Sequence, residues 1–130
     1  MIKYWRQAIG IFKHAFGDES PQWIERTVDD LFNQLNSDLP TLLVDVRPVA
    51  EYNNGHIPNA LSIPMLELES KSDELEEYKD KEIITICPGG GLSLVAIDIL
   101  TDVGFKDVKS LKGGTDEWRK NGYPLTTSVG

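Results

Sequence analysis

The run Ile83-Ile84-Thr85-Ile86-Cys87 passes straight into Pro88-Gly89-Gly90-Gly91-Leu92-Ser93 and then into Leu94-Val95-Ala96-Ile97-Asp98-Ile99-Leu100. Its first part is short, apolar and β-branched, the pattern of a buried strand, and the apolar residues after Ser93 recur too closely for an exposed helix. Strand, tight loop and helix follow one another. Ligands of an open α/β sheet sit beyond the carboxyl ends of its strands, and Cys87, the only cysteine of the chain, falls at such an end. Three glycines let the loop curl, with no Cβ to keep backbone N–H groups away from the sulfur or from whatever it carries. The first N–H groups of the helix lack intrahelical partners and would add partial positive charge facing a thiolate. Such an environment is expected to lower the thiol pKa and enlarge the nucleophilic fraction. A cysteine ending a buried strand is equally compatible with plain core packing, and a glycine run with an ordinary turn.

At 130 residues, 26% charged and 40% hydrophobic, the chain has the makings of one domain with a real core. No stretch approaches the roughly 18 uninterrupted apolar residues of a membrane span. Lys3, Arg6, Lys13 and His14 interrupt what would have to be the apolar part of a secretory signal. A lone cysteine allows no internal disulfide, which fits a reducing compartment, and a cytoplasmic location is the expectation. A net charge of −8 disfavours nucleic acid as a partner, since phosphates would be repelled. That charge is uneven: residues 1–16 carry three cations and no acid, so they stand at +3 and the remainder at −11.

Ile2, Trp5, Ile9, Phe12 and Phe16 recur three and four apart, which predicts an amphipathic helical extension. Its stripe is expected to pack on the domain or on a second subunit; contact with a membrane surface or a partner's groove is the alternative. The turn-rich Gly17-Asp18-Glu19-Ser20-Pro21 suggests a boundary, giving an extension over 1–20 and a main domain over 21–130. Trp23 and Ile24 suggest a short edge strand. Thr27, with Asp29 and Asp30 behind it, predicts a helix start whose inner face is Leu31, Phe32 and Leu35. Residues 36–40 end that helix, and Thr41-Leu42-Leu43-Val44-Asp45-Val46 predicts a strand buried on both faces.

Asp45 and Arg47 lie two apart at that strand's end, on one side, and are expected to pair or to cap neighbouring loops. Residues 48–52 allow one helical turn, and 61–63 a strand. His56 has the chemistry of a general base, but its place between Gly55 and Pro58 favours a loop-fixing hydrogen bond. Two distant histidines and one cysteine show no metal-ligand spacing, so neither metal nor cofactor is expected. The acid-rich run 67–82, with Leu68, Leu75 and Tyr78, predicts a solvated helix with a narrow apolar edge. Asp102 and Gly104 end the long helix, Val108 and Leu111 belong to a last strand, and Thr115 is expected to cap a helix that turns Trp118 inward and stops at residues 121–124.

Alternating strands and helices from Ile24 to Leu111 imply an α/β domain: three layers, with a mainly parallel sheet between helices. Four stretches together resemble the rhodanese family of sulfurtransferases: Leu43-Val44-Asp45-Val46-Arg47 with Glu51 and Tyr52, Gly55-His56-Ile57-Pro58-Asn59-Ala60, the loop 87–93, and Gly113-Gly114 through Trp118 to Gly122-Tyr123-Pro124. The resemblance covers about 100 of the 130 residues and leaves out the extension. It implies that Cys87 takes a sulfane sulfur from a donor such as thiosulfate or a protein persulfide, holds it as a persulfide, and passes it to an external thiol or other nucleophile, with Pro88, Gly89, Gly90, Gly91, Leu92 and Ser93 as the cradle. Asp45, Arg47 and His56 would be supporting residues.

The family loop usually reads Cys-x-x-Gly-x-Arg, and Leu92 stands where the arginine would be. A guanidinium there would hold an anionic donor through charge-assisted hydrogen bonds, so low thiosulfate:cyanide activity and a protein-borne or low-charge donor are expected. Two other readings remain. A non-catalytic interaction module would carry the same loop as a binding surface. A phosphatase would need a cation at Ser93 to hold phosphate, and none is there.

Overall fold

The computed structural model describes residues 24–37 and 41–128. The extension over residues 1–16, the turn at 17–21 and Trp23 lie outside the described residues. Five strands, β1 (Glu25–Arg26), β2 (Thr41–Asp45), β3 (Leu61–Ser62), β4 (Glu82–Ile86) and β5 (Asp107–Leu111), form one sheet in the order β1-β5-β4-β2-β3. Every pairing is parallel. Among the described residues four α-helices accompany them: α1 (Val28–Leu35), α2 (Val49–Asn53), α3 (Leu92–Asp102) and α4 (Gly114–Lys120).

Side chains on a strand alternate between faces, and both faces of this sheet are covered. Leu42, Val44, Ile83, Cys87 and Val108 pack with Ala96, Ile97 and Leu100 of α3 on one side. Leu43, Ile84, Ile86 and Leu111 pack with Val28, Leu31, Tyr52 and Trp118 on the other. Burial on both faces explains why β2 and β4 read as unbroken apolar runs. Strands are laid down outward from β2 in one direction and through β4 and β5 in the other, so the reversal falls between β2 and β4. Cys87 leaves the sheet beside it.

Local signals explain two of the helix ends. The Asp30 amide donates to Thr27 Oγ1 at 3.1 Å and starts α1. At the end of α3 the Gly104 amide bonds Thr101 O and the Phe105 amide bonds Leu100 O, a Schellman closure with Gly104 at φ 105°.

Three expectations need correction. The edge strand is Glu25–Arg26, one residue beyond Ile24: these two residues stand in register with Ser110 and Leu111, and the ladder is made by the Ser110 amide donating to Ile24 O and the Lys112 amide donating to Arg26 O. The acid-rich run forms no α-helix; it forms 3-10 segments at Met65–Glu67 and Ser72–Tyr78, the second broken at Leu75. Asp73, Glu74, Glu76 and Glu77 would place like charges three and four apart on an α-helix, which repel, while buried Leu68 and Leu75 need only two anchoring turns. Thr115 does not cap α4: Gly113, at φ 79°, is the N-cap and no side chain caps it.

Candidate active site

Cys87 ends the central strand, and its sulfur sits inside the curl of the loop. The Gly90 amide donates to Sγ at 3.0 Å and the Ser93 amide, in the first turn of α3, donates to it at 3.2 Å. The thiol in turn donates to Ser93 Oγ at 3.3 Å. The residue is 1% exposed and shares the apolar cluster under α3. Core burial and amide solvation thus coexist: one side of the sulfur is apolar, the other faces fixed N–H dipoles that accommodate negative charge.

Beneath the loop lies a polar layer. Ser93 Oγ is hydrogen-bonded to Ser110 Oγ, and both hydroxyls reach Gly90 O, at 3.3 and 3.4 Å. Thr85 Oγ1 donates to Ser93 O at 2.9 Å and lies 3.1 Å from Lys109 O. All three hydroxyl residues are fully buried. Sequence reasoning included Ser93 and missed Thr85 and Ser110. The signal was present in the alternation, since Thr85 precedes Cys87 by two and Ser110 follows Val108 by two, polar residues at core-facing positions.

The loop is held from the far side by the first turn of α4. The Thr115 amide donates to Cys87 O at 3.0 Å and the Asp116 amide to Pro88 O at 2.9 Å. A Cβ on Gly114 would lie 2.1 Å from Cys87 O, and one on Gly90 would lie 2.7 Å from the Gly113 amide nitrogen. These glycines are where two backbones touch. Gly89 and Gly91 are exposed, with nothing within 4 Å of an added Cβ. Leu92 opens α3 with its side chain in solvent, 62% exposed.

The hydrogen bonds of the supporting residues are made to groups other than the sulfur. Arg47 grips Asp45 through Nε at 3.0 Å and Nη2 at 2.8 Å, and its Nη2 also donates to Gly55 O at 2.8 Å. Both residues are buried, so the fork of donors fixes the loop after α2. His56 is buried too: Nδ1 is 2.8 Å from Tyr52 O, Nε2 is 2.7 Å from Ser128 O, and the ring stacks on Tyr52 at 3.6 Å. With both nitrogens engaged by carbonyls, it braces the loop against the C-terminal segment. Among the described residues no group of three or more His, Cys, Asp or Glu is arranged to hold a metal ion, and no helix is long and apolar enough to cross a membrane.

A doubly covered parallel sheet whose central strand delivers one thiol to a pair of backbone amides defines a class of small α/β domains built around a loop cysteine. The chain belongs to the rhodanese-like domain family, whose model matches residues 27–121. It is 32% identical over 102 residues to a sulfurtransferase of Allochromatium vinosum, covering 78% of this chain and 94% of that one. It is 42% identical over 85 residues to an HTH-type transcriptional regulator of Mycobacterium tuberculosis, covering 64% of this chain but only 36% of the regulator. A rhodanese-related protein from Thermoplasma volcanium superposes with a TM-score of 0.71 at 30% identity, over 81% of this chain and 99% of that one.

Proposed function

We propose that this chain is a sulfurtransferase that carries sulfane sulfur as a persulfide on Cys87. The observation that carries the reading is the pair of amides, from Gly90 and Ser93, aimed at the only thiol of the chain. Family membership and the resemblance to a sulfurtransferase of similar length support it. In the first step the Cys87 thiolate attacks the outer sulfur of the donor. A new S–S bond forms, and the old bond to sulfur breaks with its electron pair leaving on the donor remnant. Once the thiol proton is gone, the Ser93 hydroxyl can turn and donate to Sγ, with Ser110 then donating into Ser93 or to Gly90 O; the hydroxyls lie within reach for this. In the second step an external nucleophile takes the outer sulfur and the electron pair returns to Sγ. Two half-reactions joined by one covalent intermediate require ping-pong kinetics.

The donor is expected to be a protein-borne or weakly charged persulfide, with poor thiosulfate:cyanide activity. Leu92 offers no cation at the loop, and in the adjoining cleft Glu25, Asp29 and Glu117 outnumber Lys112. A dianion meets like charge there. Intact mass spectrometry after incubation with thiosulfate or a persulfide donor tests the reading. A gain of one sulfur atom that disappears in Cys87→Ser supports it, and no adduct with any donor overturns it.

The almost complete burial of Cys87 favours a second reading, a non-catalytic interaction module. The similarity to part of a transcriptional regulator supports it as well. Absence of any adduct would select it.

A further inference from the structure

Against the outer side of the cysteine loop lies a cleft of about 570 Å³, within the size range of about 300 to 1,000 Å³ usual for small-molecule sites. The backbone of residues 89–91 and Gly113 forms one wall, and four charged side chains line it: Glu25, Asp29, Glu117 and Lys112. Three acids against one cation leave an excess of negative charge. Two of the acids are engaged: Asp29 accepts from the Tyr123 hydroxyl, and Glu117 Oε2 accepts from Asn121 Nδ2 at 3.1 Å. Glu25 differs. It is 5% exposed, and its Oε1 is buried with no hydrogen-bond partner.

A buried carboxylate oxygen without a donor is costly, and such groups are rare unless a ligand or water completes them. β1 sets Glu25 in register with Ser110 of β5, the residue whose hydroxyl joins Ser93 in the layer under the sulfur. Gly90 belongs to both features, giving its amide to Cys87 Sγ and its backbone to the cleft wall.

We propose that this cleft binds the ammonium or guanidinium group of a small thiol acceptor, with Glu25 as the principal hydrogen-bond acceptor and Glu117 contributing charge. The word acceptor rests on the sulfur-transfer reading above; cation binding by the cleft does not. The thiol loses its proton to solvent, its sulfur attacks the outer sulfur on Cys87, and a new S–S bond forms. The bond from Cys87 breaks, its electron pair returns to Sγ, and the acceptor leaves as a persulfide. Sulfur and electrons balance without an added oxidant or reductant.

The test has two arms. In the first, the full chain is titrated with propylamine, which has no sulfur, and amide shifts are followed by NMR. Saturable shifts at Gly89, Gly91 and Gly113, reduced by Glu25→Gln and by the more accessible Glu117→Gln, are expected; no saturable shift in the folded wild type overturns the cation site. In the second, protein shown by mass to carry one added sulfur is mixed with cysteamine, 2-mercaptoethanol or 3-mercaptopropionate, and loss of that sulfur is timed. One charge-assisted hydrogen bond is enough for about a tenfold preference for cysteamine over the neutral thiol. That ratio, with each rate first divided by the rate of the same thiol toward a small-molecule persulfide to remove differences in thiolate fraction and nucleophilicity, should fall toward one in Glu25→Gln and stay put in Glu74→Gln on the remote 3-10 segment. A ratio that Glu25→Gln leaves unchanged overturns the acceptor assignment. Failure to load sulfur while propylamine still binds would instead sink the sulfur-transfer reading and leave the cation site standing.

Discussion

Single positions decide what the loop can hold, and the three consecutive glycines are not equivalent. Gly90 sits at φ 86° with the Gly113 amide nitrogen only 2.7 Å from where its Cβ would be, whereas Gly91 has φ −83° and open space. Gly90→Ala should therefore cost on the order of 3 kcal/mol from strain and overlap and lower the melting temperature by many degrees. Gly91→Ala should change stability by less than about 0.5 kcal/mol. Thermal melts of the two variants side by side check this, and equal melting points would refute the geometry of the loop. Leu92 sets the charge at the mouth. A guanidinium in its place can add charge-assisted hydrogen bonds of about 1.5 to 3 kcal/mol each, so Leu92→Arg should lower the KM for thiosulfate about tenfold or more. Steady-state kinetics measure it; an unchanged KM would show that missing cationic charge is not what limits thiosulfate.

At the level of elements, the site is a meeting of chain segments distant in sequence. The end of β4 supplies the sulfur, α3 an amide and a hydroxyl, β5 a second hydroxyl, and the first turn of α4 the amides that hold the loop carbonyls. The contiguous parts were legible: a β-branched run, glycines and an apolar helix occur in that order in the sequence. Contributions from Ser110, Thr115 and Glu25 depend on strand order and register, which a single sequence does not encode in any local pattern. The acid-rich run was misread for a related reason, since two buried leucines fit a helical stripe while charge repulsion along it was left out. His56 is the clearest case of an element-scale role. It exchanges backbone hydrogen bonds with Thr126 at 2.9 and 2.8 Å while its ring joins Tyr52 to Ser128. His56→Ala removes a buried ring and both of its polar contacts, at about 3 kcal/mol. Denaturant unfolding should show that loss while Cys87 still gains one sulfur by mass; loss of the adduct from folded protein would give the imidazole a chemical role.

Across the whole molecule, chemistry and anchorage occupy different parts of the same strand. Cys87 follows the last residue of β4, and Glu82 is its first. Glu82 gathers the other elements: Arg26 Nε donates to it at 3.1 Å, Gln34 Nε2 at 2.9 Å, Thr41 Oγ1 at 2.8 Å, and Lys109 Nζ lies 3.1 Å away. Residues from β1, α1, β2 and β5 thus converge on one carboxylate. Burial pushes its pKa up, but donors from Gln34, Thr41 and Lys109, with the Lys109 charge, outweigh this and bring it from 4.5 to about 2. A carboxylate whose folded pKa is depressed stabilises the fold above its unfolded pKa, and that contribution is lost as pH falls through the folded value. Stability should therefore decline as pH drops from about 4.5 toward about 2. Glu82→Gln cannot titrate, so it should be less stable than wild type at neutral pH and show a shallower fall across that window. Urea unfolding at a series of pH values measures both slopes. Parallel curves would mean that the acid sensitivity of this −8 chain comes from its remaining carboxylates rather than from the one on which the sheet converges.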